Sequence, residues 1–93
     1  MRTFQCDFGE GVTCKLVVSD KAPCGGLPHI VDVQWTGQPN PGMVRRYIEW
    51  VNSVNQQMSD EWGIKIMHAF QLSSTEFEVW VYEPGKEPKQ VQL

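Results

Sequence analysis

Cysteines are the residues of this chain best suited to covalent chemistry, and two of the three are spaced for contact. Cys6 and Cys14 lie in two alternating stretches that flank a glycine-rich turn at residues 9–11. In an antiparallel hairpin with a three-residue loop they stand opposite each other, with Cβ atoms about 4.5–5.5 Å apart. A disulfide needs about 3.5–4.5 Å, so this is a candidate redox pair. Two buried free thiols are the more ordinary interpretation, because nothing indicates an oxidising compartment.

The third cysteine offers weaker chemistry. Cys24 precedes two glycines, and His29 follows five residues later. A thiol-dependent activity at Cys24 needs a base or a positive field to lower the thiol pKa, and proximity in sequence is the only support for one. The cysteines and His29 also lack the closely spaced pairs of structural zinc sites. We therefore expect no catalytic residue, metal or cofactor.

Other titratable residues fit structural roles. His68 falls among apolar residues of a predicted strand, where a histidine is usually a core residue bonded to backbone. Glu76 and Glu78 share one strand face, and Asp60 and Glu61 end a helix. Neither pair has a partner in a recognisable cleft, so the interpretation leans away from an enzyme.

Large apolar side chains form the more informative pattern. A four-residue loop between the two C-terminal strands would pair Phe70 with Val79 and place Met67, Trp80 and Tyr82 together on the outer sheet face. Tryptophan, tyrosine and methionine are enriched in protein interfaces. This pattern predicts an interaction surface, unless the C-terminal residues fold over it.

A smaller contact site is predicted at the helix. Met43 and Trp50 lie at the margin of its apolar face, and Trp50 is flanked by Arg46 and Gln57. Together with the loop before the helix, these two side chains are candidates for a second interaction surface.

One long amphipathic helix, Pro41–Trp62, positions these residues. Asn40 is a good N-cap, Pro41 suits the first helical position and Gly63 suits the position after the last turn. At about 100° per residue, the predicted apolar face comprises Val44, Tyr47, Ile48, Val51, Val54, Met58 and Trp62.

Period-two alternation predicts strands on both sides of the helix. They cover residues 3–8, 12–18, 29–35, 64–72 and 77–81, with a possible short strand at 89–93 and a loop from Ser19 to Pro28. In residues 29–35, Val33 and Trp35 are expected on one face and Ile30 on the other. The fold class is α+β: a β-β-β-α-β-β(-β) two-layer sandwich, with the helix on a mainly antiparallel sheet of five or six strands.

Length and charge limit the function. Ninety-three residues suit a single domain, 1–93. A net charge of −3 disfavours nucleic-acid binding, which depends on clustered cations. No apolar stretch resembles a secretory or membrane-spanning segment, so we expect a cytoplasmic protein. The sequence favours a non-enzymatic module that binds another protein or itself as a homodimer. The alternatives are a small-ligand or single-stranded nucleic-acid binding domain, or the activity at Cys24.

Overall fold

A computed structural model describes residues 1–19 and 29–92. It confirms an α+β chain with one helix, and the elements in order are β1 (Arg2–Gly9), β2 (Val12–Ser19), β3 (His29–Thr36), α1 (Pro41–Trp62), β4 (Ile66–Gln71), β5 (Phe77–Tyr82) and β6 (Lys89–Val91). Of the predicted loop from Ser19 to Pro28, only Ser19 is described, at the end of β2. Cys24 and Leu93 lie outside the described residues.

The strands form two separate antiparallel sheets of three strands, ordered β1-β2-β3 and β4-β5-β6. The expected single sheet of five or six strands is therefore not confirmed, because in residues 1–19 and 29–92 hydrogen bonding joins only consecutive strands on either side of α1. The chain divides into two compact units, Met1–Arg46 and Tyr47–Leu93, with the division inside the helix. The single-domain organisation stays a prediction from chain length.

The first hairpin confirms most of the predicted register. Cys6 lies opposite Cys14 and Phe4 opposite Leu16. The turn is tighter than predicted, because Gly9 rather than Phe8 pairs with Val12 across a bulge. Glu10 and Gly11 form the two-residue turn with φ of 55° and 74°. Positive φ at both positions characterises the type I′ turn, whose twist matches that of the strands.

A second bulge, in the pairing of β2 with β3, changes the predicted faces of β3. Val17 lies opposite Asp32, but Val18 lies opposite Ile30. The extra residue shifts the alternation, so Ile30 shares the face of Val33 instead of the opposite one.

The core of the first unit is small and apolar. Its buried side chains are Phe8, Val12, Cys14, Leu16, Val18 and Met43. Arg46 closes over one edge of it: its guanidinium lies 5.5 Å from the centroid of the Phe8 ring and donates a 3.0 Å hydrogen bond to the Phe8 carbonyl. The Trp35 ring lies 5.7 Å from the same ring. Stacking of a cation and a ring on Phe8 stabilises the end of β1.

Both ends of α1 are capped as the sequence predicts. The Met43 N–H donates to the Asn40 side chain and to its carbonyl, each at 3.0 Å. At the other end Gly63 takes φ of 64°, and the Ile64 N–H reaches the Ser59 carbonyl at 3.2 Å. This six-to-one bond is the Schellman arrangement, which needs the left-handed residue that glycine supplies.

The buried face of α1 differs from the predicted one. Val44 and Trp62, assigned to the apolar face, are 40% and 43% exposed. The buried residues of the helix from position 48 onward are Ile48, Val51, Asn52, Val54, Asn55, Met58 and Ser59. The helix is therefore rotated so that polar side chains enter the interior of the second unit.

The second hairpin is shifted by one residue relative to the prediction. His68 pairs with Trp80 rather than Val81, and Phe70 with Glu78 rather than Val79. A one-residue slip moves every side chain of a strand to the other face. The loop is consequently five residues long, and a 2.8 Å hydrogen bond from the Leu72 N–H to the Glu76 carbonyl closes it.

Gly37 lies close to the backbone of Gly11 in the first unit, and substitution of Gly37 tests this contact. Gly37 has φ of +79°, and a Cβ added there would lie 2.6 Å from the Gly11 carbonyl oxygen. We expect Gly37→Ala to lower the free energy of unfolding by about 3 kcal/mol, because strain and a backbone clash add together. Gly9→Ala is the control: its φ is +86° but its surroundings are open, so about 1 kcal/mol is expected. Denaturant unfolding measures both, and equal losses would contradict the close approach.

Candidate interaction surface

The inner face of the second sheet combines aromatic side chains with buried polar groups. The Tyr82 side chain is fully buried, and its hydroxyl donates a short hydrogen bond to the side-chain oxygen of Asn52. The Ser59 hydroxyl lies between the carbonyl of Ile64, at short distance, and that of Tyr82, at 3.3 Å. Buried polar groups are stable only when paired, so these contacts explain why α1 turns polar side chains inward.

A carboxyl group is buried in this interior as well. Glu78 is 6% exposed and accepts a 2.7 Å hydrogen bond from the Trp80 indole N–H. Burial, with a further contribution from the charge of Glu78, raises the pKa of Tyr82 to about 12, while the side chain of Asn55 acts in the opposite direction. The phenol is therefore neutral at physiological pH and remains a hydrogen-bond donor.

His68 lies on the inner side of β4, beside Phe70. The half-buried ring lies with its centroid 4.4 Å from that of Phe70. Burial lowers the pKa of His68 below its ordinary value of 6.5, because desolvation disfavours the imidazolium. The uncharged form is accordingly the one that the fold accommodates, as expected for a structural histidine.

Two side chains tie the β5–β6 turn to α1. The Gln56 amide donates to the Glu83 carbonyl at 2.8 Å. One oxygen of Asp60 accepts hydrogen bonds from the Gln56 amide at 2.9 Å and the Gly85 N–H at 2.8 Å. These bonds, the Gly85 N–H first, lower the pKa of Asp60. The turn is thereby fixed to the helix within the second unit.

The outer face of the second sheet is apolar. The pairings of β4, β5 and β6 place eight residues on it: Met67, Ala69, Gln71, Phe77, Val79, Val81, Lys89 and Val91. Met67 is 65% exposed, Phe77 54% and Val91 36%. The open side of an antiparallel sheet is usually polar, so the apolar outer face of this unit is unusual.

Within the described residues of the second unit, the edge strand β4 carries none of the features that usually block an edge. In the part of the chain that the structure describes, β4 pairs only with β5. Ile66–Gln71 contains no proline, lysine, arginine or carboxylate, and its pairing shows no bulge. Proteins usually block edge strands with such features. The opposite edge is blocked, since β6 has only three residues, begins with Lys89 and follows Pro88.

A cleft of about 590 Å³ lies at the β6 side of the outer face. It is lined by Lys65, Val81, Glu83, Lys86, Glu87, Lys89, Gln90, Val91 and Gln92. Lys86 forms a 3.1 Å salt bridge with Glu83, and Lys86 first, then Lys65 and Lys89, lower the pKa of Glu83. Three of the five lysines in the chain thus line a cleft whose apolar residues are Val81 and Val91.

The structure does not bring the predicted surface residues together. Met67 is exposed on the outer face, but Trp80 is half-buried and Tyr82 fully buried on the inner face. Their predicted common face is wrong, because the β4–β5 register differs by one residue. Met43 is 5% exposed, so it offers little surface. Trp50 is half-buried and contacts Tyr47 edge-on, with centroids 6.3 Å apart.

The candidate redox pair is in register, with Cys14 fully buried and Cys6 half-buried. Both residues carry free thiols. Within residues 1–19 and 29–92, no three His, Cys, Asp or Glu side chains are grouped to hold a metal ion. In the same ranges, no helix has the length and apolar character needed to cross a membrane.

Sequence reasoning missed the buried polar residues Asn52, Asn55, Ser59 and Glu78. The signal was present in β5, where Glu78, Trp80 and Tyr82 alternate as regularly as Phe77, Val79 and Val81. Ranking by apolarity favours the second set, whereas in the structure the first set faces inward and its Tyr82 hydroxyl bonds to Asn52 of α1.

Comparison of the chain with protein-family models, curated proteins and solved structures found no match in any of the three. Arguments about its function therefore rest on the geometry described above.

The burial of His68 predicts that acid lowers the free energy of unfolding. Since its pKa is lower in the folded chain than in the unfolded chain, the unfolded state binds more protons once the pH falls below about 6.5. The stability present above that pH should be lost as pH falls through the folded-state pKa. His68→Phe should flatten this part of the pH profile of unfolding free energy. His29→Gln, at the exposed start of β3, is the control and should retain it; an unchanged profile in His68→Phe would contradict the assignment.

Proposed function

We propose that this chain is a non-enzymatic self-association module that forms a homodimer through the free edge of β4. The unprotected edge of Ile66–Gln71 is the observation that carries the proposal. A strand with free backbone donors and acceptors and no blocking residue is a template for a second strand.

The partner we propose is a second copy of this chain, because the edge is compatible with itself. Opposite residues of an antiparallel pair point to the same face. A two-fold axis at His68 would set Met67 against Ala69, and an axis at Ala69 would set Met67 against Gln71. In either arrangement, the outer faces of the two copies lie on the same side of the joined sheet. No carboxylate, lysine or arginine lies in the paired segment, so like charges do not oppose each other.

The free energies involved indicate that backbone hydrogen bonds alone do not hold the dimer together and that side-chain contacts must contribute. About six interstrand hydrogen bonds at roughly 0.5–1.5 kcal/mol each are comparable with an association cost of about 4–15 kcal/mol. Contact of Met67, 65% exposed in the single chain, supplies additional apolar burial across the edge. We therefore expect a reversible dimer of moderate affinity rather than an obligate one.

Light scattering and sedimentation at increasing protein concentration test the proposal. We expect a dimer to form below about 1 mM, a range that includes weak association. Ala69→Lys should leave a folded monomer, because Ala69 is exposed on β4 and the new charge would meet its own copy or Met67. Circular dichroism and denaturant unfolding check that the variant remains folded.

Val91→Lys is the matched control. It introduces the same charge on the same outer face but at the β6 edge. Pairing through β4 predicts that Val91→Lys still dimerises. Loss of association in both variants would indicate stacking of outer faces instead, and a wild-type monomer at about 1 mM would exclude self-association at any meaningful affinity.

The lysine-lined cleft supports a second candidate function, the binding of a small amphipathic anion. Val81 and Val91 offer an apolar floor, and Lys65 and Lys89 add positive charge beside the Lys86–Glu83 pair. A medium-chain carboxylate matches both features. Stacking of single-stranded nucleic acid has less support, because Tyr82 is buried.

Calorimetric titration with octanoate tests this candidate. We expect Lys89→Ser to weaken octanoate binding by about fivefold, the effect of losing one exposed charge contact, and added salt to weaken it further. Lys15→Ser, on the exposed side of β2, should leave affinity unchanged. Equal binding of octanol would show that the lysines do not contribute.

A further inference from the structure

The two cysteines of the first hairpin are arranged for direct reaction with each other. Cys6 of β1 and Cys14 of β2 are direct partners in the antiparallel register. On the same face, Phe4 pairs with the buried Leu16. The bulge between Asp7 and Gly9 falls after the Cys6–Cys14 pair. Regular pairing therefore extends from the cysteines to the start of β1.

The geometry leaves little movement for bond formation. Directly opposite Cβ atoms lie about 4.5–5.5 Å apart, against about 3.5–4.5 Å in a disulfide. Burial first, and the charge of Cys6 second, raise the pKa of Cys14 to about 11. A shift of about 1 Å in strand separation is sufficient.

We propose that Cys6 and Cys14 are a modification site, at which exchange with a low-molecular-weight disulfide such as glutathione disulfide forms an intramolecular disulfide. In the first step the Cys6 thiolate attacks one sulfur of the small disulfide, which gives a mixed disulfide and releases one small thiolate. In the second step the Cys14 thiolate attacks the Cys6 sulfur and displaces the second small thiol. Two protein thiols are oxidised, and one small disulfide is reduced to two thiols.

Exposure sets the order of the two steps. Cys6 is half-buried, so an external disulfide can reach it, whereas Cys14 is fully buried. Cys14 needs access only to its cross-strand partner. Because the thiolate is the attacking species and burial keeps Cys14 protonated, we expect the second step to be the slower one.

Peptide mapping of the native wild-type chain tests the proposal. Trypsin cuts after Arg2 and Lys15, so one peptide, residues 3–15, carries both cysteines, and Cys24 falls in another. After native protein is equilibrated with glutathione disulfide and the remaining thiols are alkylated, we expect this peptide to be two hydrogens lighter and unalkylated. Reduction before alkylation should restore two alkylation sites.

Thermal unfolding gives a second readout. Closing the hairpin should raise the unfolding midpoint by about 5 °C or more, because the cross-link restricts the unfolded chain. Cys6→Ser, a substitution at the more exposed position, should remain folded and show no such rise on oxidation.

Three outcomes would overturn the proposal. The first is a peptide that stays doubly alkylated unless the protein is unfolded before oxidation. The second is a stable glutathione adduct as the end product, and the third is a cross-link from either cysteine to Cys24.

Discussion

The hydrogen-bonding register between β4 and β5 determines which side chains the second unit buries. With His68 opposite Trp80, the residues Glu78 and Tyr82 point inward and Val79 and Val81 point outward. Asn52 accepts the hydrogen bond of the buried phenol, and the orientation of α1 buries Asn52 beside it. A slip of one residue would bury two valines but would leave the polar side of the helix without partners. The burial of Glu78 and the apolar outer face thus follow from the same register.

Much of the fold follows from local chemistry that the sequence displays. The ends of α1 depend on Asn40 and Gly63, and both cap as their residue types predict. Cys6 and Cys14 are opposite each other as predicted, because the bulge between Asp7 and Gly9 offsets the shorter turn. The bulge that moves Ile30 has no comparable signal, because a single extra residue leaves the composition of a strand unchanged. Pairing confined to consecutive strands was likewise not visible, since alternation indicates strands without indicating their neighbours.

At the candidate site, the pattern of apolar residues is not sufficient to assign the faces of β5. Residues 79–82 are all apolar or aromatic, so alternation alone cannot decide which of them face the helix. The inward position of Tyr82 is tied to Asn52, which lies thirty residues away in sequence. Met67 keeps its predicted exposure because its own strand, β4, was placed on the correct faces. The unprotected edge of β4 becomes meaningful only after the strand order is known.

Pairing between consecutive strands also bears on how quickly the chain folds. β1 meets β2 across a two-residue turn, and β4 meets β5 across residues 72–76. Closing loops this short takes far less than a millisecond, and hairpins form in roughly 1–10 μs. Chains dominated by contacts of small sequence separation fold faster than those with distant strand pairings. In the described residues, the β1–β2 and β4–β5 hairpins are therefore the elements that can form first, before contacts such as that of Tyr82 with Asn52 close across thirty residues.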